Sequence, residues 1–189
     1  MTQTKQALLI AAGILSSSWV LASSADLNLT NDKANAAVTL NIDKAAVSVG
    51  GMYDEGDNTS YVFMGLGVED AEANGPLAVG IGLRGYAIDT DRDSGRDTSA
   101  AVGVGGWYRY TFPQANRLSL YASGYYSPQI LTISNADHVY NYEARLEYMT
   151  MRNARAYIRY SKMVVVFDDA NESRKELDHG FSIGASVDF

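Results

Sequence analysis

Gly180-Phe181-Ser182-Ile183-Gly184-Ala185-Ser186-Val187-Asp188-Phe189 is the stretch from which the fold is read. Side chains alternate across an extended strand with period two. Phe181, Ile183, Ala185, Val187 and Phe189 therefore share one face, and Ser182, Gly184, Ser186 and Asp188 share the other. One face is apolar and ends in an aromatic; the other is small and polar. A transmembrane β-barrel strand needs this inversion, apolar toward lipid and polar toward the lumen. An amphipathic strand packed on a soluble core carries the same alternation, so the choice between them rests on the remaining sequence.

The opposite end sets the compartment. Lys5 precedes an apolar run from Ala7 to Leu15, and the small residues Ala22-Ser23-Ser24-Ala25 follow. This is the layout of a secretory signal peptide, with cleavage expected after Ala25. The apolar run falls short of the roughly 20 residues that a membrane-spanning helix needs. Residues 1–25 are therefore set apart from the fold. The chain has no cysteine, so an exported domain must be held by packing or by closed hydrogen bonding. Its net charge is −7, and −8 once Lys5 leaves with the leader. An acidic chain without a basic patch argues against nucleic acid as a partner. Glycine and tyrosine are abundant, proline is scarce, and the mean hydropathy is −0.14. A β-barrel hides its apolar residues in alternation and produces such a mild average.

In the lead-in, Val38, Leu40 and Ile42 alternate with Thr39 and Asn41, and the apolar phase flips at Asp43-Lys44. A phase flip marks a turn or a bulge, because a one-residue slip moves every side chain to the other face. Residues 26–43 are read as a periplasmic lead-in or short hairpin, and 44–189 as the barrel. From Lys44 the chain repeats one unit, about ten alternating residues and a polar break, as in barrel strands. Val62, Met64, Leu66 and Val68 face out while Tyr61, Phe63, Gly65 and Gly67 face in. Leu77, Val79, Ile81 and Leu83 face out against Gly80, Gly82, Arg84 and Tyr86. Further strands follow over 100–112, 118–126, 140–148 and 156–167, and the last is the terminal stretch. The expectation is an all-β fold, an eight-stranded antiparallel up-and-down transmembrane β-barrel. A ten-stranded barrel, with 26–42 as a further hairpin, keeps the even parity that single-chain bacterial barrels require.

The breaks support this reading. Those at 53–58, 89–97, 132–137 and 168–178 are polar or acidic and would face outside; those at 69–75, 113–116 and 152–155 would be periplasmic turns. Tyr108, Tyr110, Phe112, Tyr148 and Phe189 would form one aromatic rim, and Tyr53, Tyr126 and Tyr140 the other, where a tyrosine ring is buried and its hydroxyl stays wet. One strand fits badly: Lys162 would follow Ala156, Ile158 and Tyr160 into lipid. A bulge near Ser161-Lys162 would turn Lys162 inward and Met163, Val165 and Phe167 outward.

Inward charges are expected at Arg84, Arg109, Glu143, Arg145, Glu147 and Arg159, with Lys44 and Asp188 as further candidates. Buried charges must be paired and hydrogen-bonded. Eight strands leave an interior just wide enough for side chains to fill. The reading is therefore a plug, an ion-pair network packed with Trp107, Tyr121, Tyr125 and Tyr157. No catalytic, cofactor or metal residues are assigned. Asp89, Asp91 and Asp93 alternate as in a calcium loop, but Ser94 stands where such a loop needs glycine and Ala100 where it needs glutamate. His138 and His179 lie near external strand ends, with Ser134 and Ser182 nearby in sequence; a lipid-modifying enzyme built on them is the weaker reading. The same alternation also fits a narrow channel for small solutes or ions, or a soluble periplasmic β-barrel or sandwich binding protein.

The chain resembles the YfaZ family of bacterial outer-membrane proteins. The resemblance rests on Asp26-Leu27-Asn28-Leu29-Thr30-Asn31, on Arg117-Leu118-Ser119-Leu120 with Tyr125-Tyr126-Ser127-Pro128, and on Tyr142-Glu143-Ala144-Arg145-Leu146-Glu147-Tyr148. It continues through Asn153-Ala154-Arg155-Ala156-Tyr157 to His179-Gly180-Phe181 and the terminal Phe189. It implies an outer-membrane location and supplies no catalytic residues. A chain stopping on Phe189 also resembles the C-terminal signature of outer-membrane proteins. The expected partners are outer-membrane lipids and, through the strand carrying Phe181, Ile183, Ala185, Val187 and Phe189, the outer-membrane assembly machinery.

Overall fold

The computed structural model describes residues 23–42, 44–71, 75–92, 95–133, 136–167 and 174–189. Most of the expected leader, Ser134 and parts of the breaks lie outside them. Alternation of apolar and polar or small residues produces strands throughout. In chain order these are β1 (Ser23–Leu29), β2 (Lys33–Ile42), β3 (Ala45–Asp54), β4 (Thr59–Ala71), β5 (Leu77–Arg92) and β6 (Gly95–Thr111). There follow β7 (Leu118–Ser127), β8 (Thr132–Ile133), β9 (Ala136–Met151), β10 (Ala154–Phe167) and β11 (Arg174–Asp188).

The strands pair antiparallel, each with its sequence neighbour, apart from β8. β11 returns to β1, with Ser24 opposite Asp188 and Leu29 opposite Ile183. The sheet thereby closes on itself as ten strands, and closure removes the edges that an open sheet would expose. β8 stays outside this ring and pairs only with Ala100 and Ala101 of β6. The eight-stranded expectation is thus corrected to ten, and the barrel begins before Lys44. The lead-in is its first hairpin, because Leu27 and Leu29 face out while Asp26 and Asn28 face in, the same pattern as the rest of the wall.

The outer face is apolar. Ile81, Ile183 and Phe181 are 70%, 72% and 74% exposed, beside Val62, Met64, Leu66 and Leu83. Soluble proteins rarely leave a contiguous apolar surface of this kind uncovered. The start of β1 and the end of β11 lie at one end, where β2 meets β3, β4 meets β5, β6 meets β7 and β9 meets β10, here called the turn end. The other connections define the loop end. A β-barrel crosses a bilayer with about 9–11 residues per strand. β5, β6, β9 and β11 have 16, 17, 16 and 15, so the wall is taller than a bilayer.

That height dissolves two expected breaks. β5 and β6 stay in register up to Arg92 opposite Gly95, so Asp89 and Asp91 belong to a paired strand rather than to a loop. Likewise Arg174 to Asp178 is strand rather than loop. The β3–β4 hairpin is closed by Asp54, whose Oδ1 accepts from the amides of Gly56 (2.9 Å) and Asp57 (3.3 Å). Asn58 completes it with φ 47°, a conformation that asparagine tolerates better than most residues.

Lys162 does not turn inward. The irregularity lies on the neighbouring strand: Met163 pairs with Asp178 and Val164 with Glu176, leaving Leu177 as an extra residue in β11. Met163, Val165 and Phe167 are therefore buried inside the barrel, the reverse of the expected bulge. Lys162 keeps the outer face, beyond the Tyr160–Phe181 ring pair toward the loop end, and meets Glu176 at 2.7 Å. Paired with Glu176, Lys162 stays on the outer face without a rearrangement of β10.

Candidate functional site in the barrel lumen

The lumen is layered. Toward the loop end it holds an apolar cluster of Met52, Ile88, Val139, Met163, Val165 and Leu177, with Tyr61 and Tyr86 beneath. Met163, Val165 and Leu177 are 0% exposed, as in the core of a soluble domain. Above the cluster, Lys33 and Asp54 pair at 2.9 Å.

The middle layer is ionic. Arg145 reaches Asp26 at 2.8 Å and Glu143 at 3.0 Å. Arg159 meets Glu143 at 2.6 Å and Asp178 at 2.9 Å, and donates to Asn28 Oδ1 at 2.9 Å. The chain Asp26–Arg145–Glu143–Arg159–Asp178 ties β1, β9, β10 and β11 together across the seam where the barrel closes. Charge alternates along it, so each desolvated group faces an opposite one, the condition under which buried charges are tolerable. Nearer the turn end Arg109 pairs with Glu147 at 2.8 Å, and Arg155 with Asp188 at 2.7 Å.

Aromatic rings fill the gaps beside the glycines. Trp107 lies across Gly80, Phe63 across Gly50 and Tyr157 across Gly184, places where an added Cβ would collide with the ring. Trp107 and Tyr121 stack at 6.1 Å. The Arg145 guanidinium lies 4.9 Å from the Tyr121 ring centre and 4.7 Å from that of Tyr157. Arg84 lies 4.5 Å over Phe63 and 4.0 Å over Tyr125.

All six interior charges read from the sequence therefore line the inside, and five join ion pairs; Arg84 is held by rings instead. Lys44 is exposed in its turn. Sequence reasoning missed Asp26, Asn28, Lys33, Asp54 and Asp178 as partners. The alternation of Leu27 and Leu29 with Asp26 and Asn28 was the available signal for the first two. Asp178 keeps the inward phase of Ser182, Gly184 and Ser186 and was missed because 168–178 reads as a break; the bulge at Leu177, which has no signature in the sequence, turns Glu176 outward.

The side chains do not fill the lumen. A cavity of about 190 Å³ runs from the level of Tyr61 and Arg159 to Ser24, Asn41 and Glu69 at the turn end. A barrel widens with strand number, so ten strands leave room that eight would not.

His138 pairs with Asp137 at 2.8 Å and packs between Tyr126 and Tyr140, whereas His179 is exposed. Gly180-Phe181-Ser182-Ile183-Gly184 has the Gly-x-Ser-x-Gly spacing, a match that the strand alternation conceals. A nucleophile elbow sits on a sharp strand-to-helix turn. Here the motif runs along extended β11, with Ser182 buried opposite Arg159.

A family model described as YfaZ precursor matches residues 2–189, essentially the whole chain. No curated protein matches it.

Proposed function

The chain belongs to the YfaZ family, and from that premise we propose that it is a small outer-membrane β-barrel with a side-chain-plugged interior and a structural or interaction role at the cell envelope. The observation carrying this reading is the inverted wall: a closed barrel whose outer face is apolar and exposed and whose charged residues line the lumen. Lipid is the solvent that matches such a face. The family description as a precursor and the leader-like residues 1–25 support export. In this orientation the turn end faces the periplasm and the loop end faces outside.

The apolar cluster at the loop end supports the plug. Water and ions crossing the lumen would have to displace Met163, Val165 and Leu177 from close packing. β11, with Phe189 at its end, is the element that would engage the assembly machinery. Outer-membrane lipids are then the surroundings of the wall, and no cofactor is required.

The test is electrophoresis of detergent-extracted protein, unheated against boiled, followed by planar-bilayer recording. A heat-dependent mobility shift without conductance steps is expected. Reproducible steps would overturn the plug. An unshifted band from the soluble periplasmic fraction would overturn the membrane barrel.

A further inference from the structure

We propose that the lumen cavity is a binding site for a small oxyanion, a carboxylate or phosphate, that enters from the turn end and sits on the guanidinium of Arg84. Ser48, Gly65, Arg84 and Gly103 form one row across β3, β4, β5 and β6. Both cross-strand neighbours of Arg84 are glycines, so neither offers it a side-chain partner. The Phe63 and Tyr125 rings cover the guanidinium and the Tyr86 hydroxyl lies beside it; none of the three is an anionic acceptor. Its Nε is fully buried and has no hydrogen-bond partner. The side chain as a whole is only partly buried and lines the cavity, so its remaining surface is what a ligand acceptor would meet.

The other guanidiniums of the cavity are engaged: Arg109 by Glu147, Arg145 by Asp26 and Glu143, and Arg159 by Glu143 and Asp178. Among the described residues, Arg84 is the cavity arginine without a carboxylate at ion-pair distance. A volume of about 190 Å³ holds roughly six waters at about 30 Å³ each, so the ligand has few non-hydrogen atoms. Planar guanidinium edges suit carboxylate and phosphate oxygens equally, and the loop-end cluster makes the cavity blind on that side.

The full chain with Trp19→Phe leaves Trp107, which lines the same cavity, as its one tryptophan. Folded in detergent at constant ionic strength, it is titrated separately with inorganic phosphate and with acetate, followed by Trp107 fluorescence and calorimetry. Saturable binding of at least one anion is expected, and the stronger of the two names the source. Arg84→Met should weaken it tenfold or more, while Lys162→Gln on the outer wall should leave it unchanged. Ser48→Glu, which puts a carboxylate into the Arg84 row, should also abolish binding with Arg84 intact. It carries the test should Arg84→Met lose the heat-shifted band. No saturable response to either anion, or unchanged affinity in the folded Arg84 or Ser48 variant, would overturn the proposal. The plugged-barrel reading fails separately, through conductance or the absent mobility shift.

Discussion

Arg159 is the residue on which the interior ionic layer turns, because it bridges Glu143 and Asp178 and holds Asn28 of the first strand. Removing one partner of a buried network leaves the others charged and unsolvated, at about 3–5 kcal/mol. Arg159→Ala should therefore lower unfolding stability by that order in a denaturant titration from detergent or vesicles, with Asn28→Ala costing less. On the outer wall, the Lys162–Glu176 pair at 2.7 Å faces away from this layer and takes no part in it. The inward arginines and glutamates were legible from period two alone; their pairings were not, because each partner comes from another strand.

The first hairpin carries the element-scale consequences. Ser23, Ser24 and Ala25 are paired in β1, with Ser24 opposite both Thr39 and Asp188. Cleavage after Ala25, the position expected from the small residues, would cut away this part of the strand. Cleavage after Ala22, with Val20 and Ala22 as the small residues before the cut, leaves β1 whole. N-terminal sequencing of the exported protein is expected to begin at Ser23. The last strand has its own expectation. Phe189 is 55% exposed at the turn end rather than spent on packing. Phe189→Ser should reduce recovery in the outer membrane while the purified variant still refolds in detergent with a heat-dependent shift. The long strands β5, β6 and β9 were read short because their loop-end halves carry acidic and polar residues on both faces. Polar alternation outside lipid leaves no hydropathy signal, although the ladder continues.

At the scale of the whole molecule, the lumen divides into a closed apolar end and an open polar one. Shrinking the closed end should be costly: Leu177→Ala removes a fully buried side chain, and such truncations cost about 2–5 kcal/mol. The measurement is the denaturant midpoint of the folded barrel, and an unchanged midpoint would show that the cluster is not close-packed. The sequence by itself determined the β class, the inverted wall and the inward set of charges. Each follows from side-chain alternation, a local property that any stretch of ten residues displays. Only the tertiary structure decided that ten strands close the ring, that the bulge sits at Leu177 rather than at Lys162, and that Arg84 faces a cavity. Those depend on which strands lie side by side and how wide the ring is. Pairing and curvature are summed over the whole sheet, and no single stretch of sequence contains them.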